Sequence, residues 1–177
     1  MPLHRLHYLR WSGVAFAALL VPSLGHPALL GPEQRITAMD ADNSDGFGHT
    51  VDIDGDIAVT GVPGDDAEAT NAGAAYVFRR IGDTWVQEQK LTAADDANPF
   101  DGFGSDVAVD RNLIVVGSPD DDEAGNNAGA AYVFERNGST WVRNAKLLPN
   151  DPSNSNDEFG TAVDISTDVR MRILPMR

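Results

Sequence analysis

The sequence predicts an all-β chain whose short antiparallel strands group into four-stranded units stacked face to face. Three observations predict it. The chain repeats itself without gaps at a period of 56 residues, seen in Phe47, Phe103 and Phe159, in Tyr76 and Tyr132, and in Trp85 and Trp141. Each period holds four strand-length segments parted by short glycine-containing turns. No stretch beyond residue 25 carries helical periodicity.

The chain opens on a segment of a different kind. Arg5 and Arg10 precede an apolar run from Gly13 to Val21, Pro22 breaks it, and Ser23-Leu24-Gly25 supplies small residues. That is the layout of a secretory signal peptide cleaved after Gly25, so residues 1–25 are assigned to it. The apolar run is shorter than the roughly 20 residues a membrane-spanning helix needs. Losing two positive charges with it moves the formal net charge from −14 to −16. Residues 26–44 read as a linker and the outer strand of a neighbouring unit. Within them Ile36-Thr37-Ala38-Met39-Asp40 resembles Leu91-Thr92-Ala93-Ala94-Asp95, where a fourth strand ends.

Residues 45–100 and 101–156 are two full repeats, identical at half their positions, and 157–177 begin a third that stops matching. In the first, Thr50–Asp54 alternates, with Val51 and Ile53 on one face. Ile57–Gly61 is apolar on both faces, as is Leu113–Gly117 in the second. Ala74–Arg79 carries Tyr76, Val77 and Phe78, and Thr84–Leu91 is polar apart from anchors such as Trp85 and Val86. Asp54-Gly55-Asp56 and Ile81-Gly82-Asp83 are hairpin turns. A run apolar on both faces suits a strand covered on both sides. Four antiparallel strands grading from buried to polar describe a β-propeller blade, which neighbouring blades cover on both faces. The chain holds about two and a half such blades.

The second and third strands are joined by a long acidic loop, Pro63 to Asn71 and Pro119 to Asn127, followed by small residues that permit close backbone approach. After Ile165 the expected apolar second strand gives way to a basic stretch lacking Gly-x-Pro. This motivates reading the chain as a fragment. A repeat array generally needs three or more units, so the chain alone is expected to be marginal, oligomeric or aggregation-prone.

Composition narrows the functions. With 13 Lys+Arg against 27 Asp+Glu, the chain lacks the clustered positive charge that nucleic acid binding needs. With no cysteine it has no disulfide framework, thiolate nucleophile or cysteine-held metal. His49 is the one histidine inside the repeats and its counterpart is Ser105, which leaves a serine–histidine relay unsupported. Among so many acidic residues a carboxylate pair for glycoside hydrolysis carries no specificity. Asn137-Gly138-Ser139 fits a glycosylation sequon.

The spacing of Phe47-Gly48, Phe103-Gly104 and Phe159-Gly160, each followed by a strand, with Gly61-Val62-Pro63 and Gly117-Ser118-Pro119 closing an apolar strand, resembles the FG-GAP repeat. The GAAYVF and TW elements resemble its bacterial form, over roughly residues 33–165. The resemblance implies blades of the integrin α type of β-propeller, usually seven to a ring. It also implies adhesion or ligand binding, often with calcium in blade loops. The motif residues carried over are Phe47, Gly48, Gly61, Pro63, Phe103, Gly104, Gly117, Pro119, Phe159 and Gly160.

Calcium favours several oxygen ligands at alternate loop positions. Asp52, Asp54 and Asp56 have that spacing, and Asp110 and Asn112 answer to the last two in the second repeat. The family's calcium loop is longer, of D-x-D-x-D-G-x-x-D form; here it shrinks to an Asp-Gly-Asp turn. The alternative is that Asp54 and Asp110 make the hairpin turn and Asp52 faces solvent. Asp65-Asp66 and Asp121-Asp122, with Asp40, Asp42 and Asp45, are either ligands between blades or charges that keep the surface soluble.

The expected function is therefore a non-enzymatic secreted, periplasmic or cell-surface binding or adhesion module, with calcium as its candidate cofactor. Its partners would be an extracellular protein or carbohydrate, and further blades or copies of itself. Neither a nucleic acid nor a membrane span in the mature chain is expected. The alternatives are an accessory propeller of an extracellular hydrolase, or a gene fragment without its own function.

Overall fold

The described residues form ten strands, in chain order β1 Thr50–Asp54, β2 Ile57–Val62, β3 Ala74–Ile81, β4 Thr84–Leu91, β5 Val107–Asp110, β6 Leu113–Ser118, β7 Ala130–Asn137, β8 Thr140–Leu147, β9 Val163–Asp164 and β10 Arg172–Ile173. This computed structural model describes residues 34–40, 42, 44–151, 156–167 and 172–173. The described residues belong to one compact unit, Glu33–Arg177. The signal-peptide reading falls on residues 1–25, outside the described residues.

Two sheets run in the order β1-β2-β3-β4 and β5-β6-β7-β8, antiparallel throughout. Each is one propeller blade. The turns follow the sequence: Gly55 and Gly82 take positive φ in their hairpins, and Arg111 takes φ 56 at the position of Gly55. β2 is buried along its whole length, and β4 is more polar. Both blades carry a bulge at one register position, Val77/Phe78 and Val133/Phe134. The single helical turn among the described residues is a 3-10 turn at Ala94–Asp96.

The largest apolar core lies between the blades. Ile57, Val59, Ala75, Val77 and Leu91 of the first blade pack against Phe103, Val107, Val109, Ile114, Val116, Tyr132, Phe134 and Trp141 of the second. A second cluster gathers Ala58, Val62, Ala74, Tyr76 and Phe78 with Ala38, Ile36, Phe47 and Trp85. A third lies between the second blade and Val163, Phe159 and Ile165. Trp141 is buried in the seam, its indole N–H donating to Glu88 Oε2 at 3.2 Å. The recurring aromatics thus pack as core.

The geometry gives the Phe-Gly and Gly-x-Pro signatures a mechanical reason. The ring of Phe103 packs edge-on against Tyr132 and Phe134 of its own blade. Its backbone N–H donates to Ala72 O of the blade before, at 2.9 Å, beside a parallel bridge to Gly73. Gly104 then passes so close to Gly61 that a Cβ on Gly61 would lie 1.9 Å from Gly104 O. Gly117 stands in the same relation to Gly160, also at 1.9 Å. Phe159 repeats the contact of Phe103, donating to Ala128 O at 3.0 Å. The motif is therefore the place where one blade's backbone rests on the next.

The N-terminal segment sits where its likeness to residues 91–95 suggests. Gln34 exchanges two hydrogen bonds with the backbone of Trp85, as Gln89 does with Trp141. Residues 34–38 thus lie along β4 as the end of β4 lies along β8, although they form no strand. At the other end β10 pairs with β9, Arg172 opposite Asp164 and Ile173 opposite Val163. A short second strand is present in the third repeat, inside the segment the 56-residue period predicts but with its pairing to β9 shifted by one residue.

Candidate functional site

Sheet topology gives each blade a turn end, with Gly55-Asp56 and Gly82-Asp83, and a loop end, where Pro63–Gly73 and the Phe-Gly turns lie. The five sequence-predicted calcium ligands are at the turn end and on β1 and β5. Most of them join blades. Asp52 Oδ2 accepts the N–H of Val109 and Asp54 Oδ2 that of Arg111, both at 2.7 Å. Asp110 Oδ2 accepts the N–H of Thr167 from the third repeat. Asp56 instead takes the guanidinium of Arg80 in its own blade at 2.7 Å. Asn112 reaches Glu135 at 3.5 Å.

The carboxylates of Asp52, Asp54 and Asp110 are thus engaged with N–H groups at or just beyond the first strand of the neighbouring blade. Among the described residues no group of three or more His, Cys, Asp or Glu is gathered to hold a metal ion. As arranged, the five do not form the oxygen cage calcium takes.

The N–H bond from Thr167 holds the Asp110 carboxyl below the usual carboxylate range. Its contribution to stability is present above the ordinary carboxylate pKa and is lost as pH falls through the lowered one. Truncating Asp52 tests the cross-link directly. Asp52→Ala leaves the Val109 N–H without its acceptor, so a loss of about 1 kcal/mol in urea unfolding is expected.

The loop end holds the denser chemistry. Asp65 and Asp121 are 2% and 0% exposed, while Asp66 and Asp122 are exposed. The adjacent carboxylates therefore part company. Asp66 and Asp122 staple the loop by accepting the N–H of Asn71 at 2.6 Å and of Asn127 at 2.7 Å. Asp65 and Asp121 turn inward, where the hydroxyls of Tyr76 and Tyr132 donate to them, each at 2.8 Å. Lys90 and Lys146 complete the networks, 2.7 and 2.9 Å from the same carboxylates. The second carboxylate differs between blades. Lys146 takes Glu123 at 2.5 Å, but Ala67 stands at that position in the first blade, and Asp40 serves Lys90 at 2.9 Å.

Burial alone would lower the pKa of Lys90 and Lys146. The hydrogen bonds, led by those from Asp65 and Asp121, outweigh it and raise both. Burial raises Tyr76 and Tyr132, and their carboxylate neighbours add to it. The hydrogen bond from Lys90 holds Asp40 low. At neutral pH each network thus holds a neutral tyrosine and an ammonium beside its carboxyl groups. Sequence reading found the aspartates and missed Lys90 and Lys146, although both recur at the 56-residue period.

Asp40, Asp42, Asp45, Asp65, Asp66 and Lys90 line a cleft of about 240 Å3 at this end of the first blade. The structure does gather the acidic residues that the sequence grouped only by type. In the second blade, burial raises the Asp101 carboxyl, a shift that the Asn98 backbone N–H opposes and the Asp121 charge supports. Burial also raises Asp120, with Glu158 and Asp122 adding to it.

A raised carboxyl takes up its proton in the folded state first. Its contribution is full below the ordinary carboxylate pKa and fades as pH rises through the raised value. Asp101→Asn removes that cost, so its melting temperature relative to the parent is expected to be highest near pH 7. The difference should shrink as pH falls to about 4, near the ordinary Asp value. Parallel melts across that range check it.

Repeated four-stranded blades joined by backbone contacts define a propeller-type repeat protein. The family model described as FG-GAP repeat matches residues 31–78 and 85–134, more than half of the chain. The chain belongs to the FG-GAP repeat family. Its blades are therefore propeller modules of the integrin α kind. The second match begins in β4 of one sheet and ends in β7 of the next, so the family's unit straddles two blades. No curated protein matches the chain.

Proposed function

We propose that this chain is a non-enzymatic binding module of a secreted or cell-surface protein, and that ligands meet it at the loop end of its blades. FG-GAP repeats are typical of extracellular and surface proteins, and no helix among the described residues is long and apolar enough to cross a membrane. The observation that carries the reading is the duplicated Tyr–Asp–Lys network. It anchors the acidic loop through the same tyrosine, aspartate and lysine in both blades and leaves Asp66 and Asp122 exposed on the same rim. Fixed loops on a rigid scaffold are where binding residues concentrate. The ligand would be an extracellular protein or carbohydrate presenting positive or hydrogen-bond-donating groups to that rim.

Screening the purified chain against extracellular protein and glycan arrays tests this. Bound ligands are expected to lose affinity in Asp66→Ala and Asp122→Ala, and to keep it in Asp83→Ala at the opposite end. Binding indifferent to the rim variants would sink the reading. Calcium dependence is a separate arm. A rise in melting temperature with millimolar calcium, reversed by chelator, supports it, and no shift removes calcium from the proposal.

A further inference from the structure

Val51 and Ile53 occupy on β1 the places Val107 and Val109 occupy on β5. Val107 and Val109 are 4% and 6% exposed because the first blade covers them, whereas Val51 and Ile53 are 65% and 58% exposed. The first blade therefore shows an apolar first strand and its edge N–H groups, a surface that protein sheets ordinarily cover.

The cover it lacks can be specified from the contacts between blades. Asp52 accepts from Val109, Asp54 from Arg111, Asp106 from Val163 and Asp110 from Thr167, each 57 residues further on. The acceptor belongs to one blade and the donor lies in or just beyond the first strand of the next. Asp164 holds the position of Asp52 in the third repeat. Its Oδ1 accepts the N–H of Ile165 at 2.8 Å, as Asp52 Oδ1 accepts that of Ile53 at 2.8 Å. The second oxygen of Asp52 reaches Val109, and that of Asp164 has no such donor among the described residues. Moving 57 residues beyond Asp164 and removing three periods arrives at Ile53. The first and third repeats thus carry the two halves of one blade contact.

We propose that the open β1 of the first blade is covered by a second copy of this chain in head-to-tail contact. Asp164 of one copy accepts the N–H of Ile53 of the next. The contact is heterologous, so successive copies form a ring where the rotation closes and a filament where it does not. It continues the blade interface already described, and it lies on β1 and β9 rather than on the loop rim, so its failure would leave the ligand reading intact.

The absence of cysteine makes the test clean. Full-length Ile53→Cys and Asp164→Cys chains are mixed under mild oxidation. A disulfide-linked heterodimer is expected from the mixture, at least about 10-fold more than either chain forms alone. The Asp52→Cys/Val109→Cys chain, which places the pair inside one molecule, is expected to close its own bridge. It shows that the position permits one.

Sedimentation velocity supplies a second readout. Concentration-dependent association is expected for the parent, weakened about 10-fold or more by Asp164→Ala and by Ile53→Lys, and unchanged by Asp83→Ala. A parent chain that stays monomeric at 100 μM, an order-of-magnitude ceiling well above ordinary specific affinities, overturns the proposal. So does an Ile53→Cys chain that cross-links mainly to itself, because that packing would be face to face.

Discussion

Alanine at Gly61 is expected to destabilise the seam between the first two blades by about 3 kcal/mol or more, at the upper end of what overpacking costs. The added Cβ would lie 1.9 Å from Gly104 O and 2.6 Å from Thr50 Cγ2. Gly104 cannot step back freely, because its N–H donates to Gly117 O at 2.9 Å within its own blade. The neighbouring Phe103 is fixed by its ring in the core and by its N–H on Ala72. Relief must therefore come from moving one blade against the other, which loosens the apolar core between them.

Gly55→Ala makes the contrast. Gly55 has open space around it and only a left-handed backbone, φ 57, so its cost is about 1 kcal/mol. Urea unfolding of the two variants separates the effects. Equal small losses would show that the seam yields more easily than the backbone contact implies. Gly61→Ala and Gly104→Ala should also fail to add when combined, since both press on one contact.

Lys146→Met is the second large effect. Lys146 is the cation for Asp121, which is wholly buried and otherwise holds the Tyr132 hydroxyl and the N–H of Glu123. Removing one partner of a buried pair strands the other charge, which typically costs about 3–5 kcal/mol. The exposed pair Arg80–Asp56 should matter far less, at most about 1 kcal/mol for Asp56→Ala.

A charge-free double variant is a further check. Lys146→Met/Asp121→Asn should recover much of the loss at neutral pH, because no unpaired charge remains. A loss below about 1 kcal/mol in Lys146→Met would mean that water, and not Lys146, compensates the buried carboxylate.

Much of this fold was legible before any coordinates. The period of 56, the four strands and the two-residue turns follow from alternation, apolar runs and glycine placement. Such local signals survive folding because they are about which face is buried and which φ is allowed. The site was legible in residue type and not in role. Asp52, Asp54 and Asp110 have calcium-like spacing along the chain, yet their oxygens go to N–H groups of the neighbouring blade. Asp65 and Asp66 are adjacent and look equivalent, but one is buried against Tyr76 and Lys90 and the other staples a loop.

The sequence by itself determined the repeat, the blade and the family, because each is written as a period or a motif within one stretch of chain. Tertiary structure decided what the acidic residues do. A carboxylate has several lone pairs, and it takes the donors that folding brings within reach, which here come from 11, 25 or 57 residues away. Those separations are set by how strands stack. Identical aspartates therefore become cross-links, buried anchors or rim charges according to the blade that lies beside them.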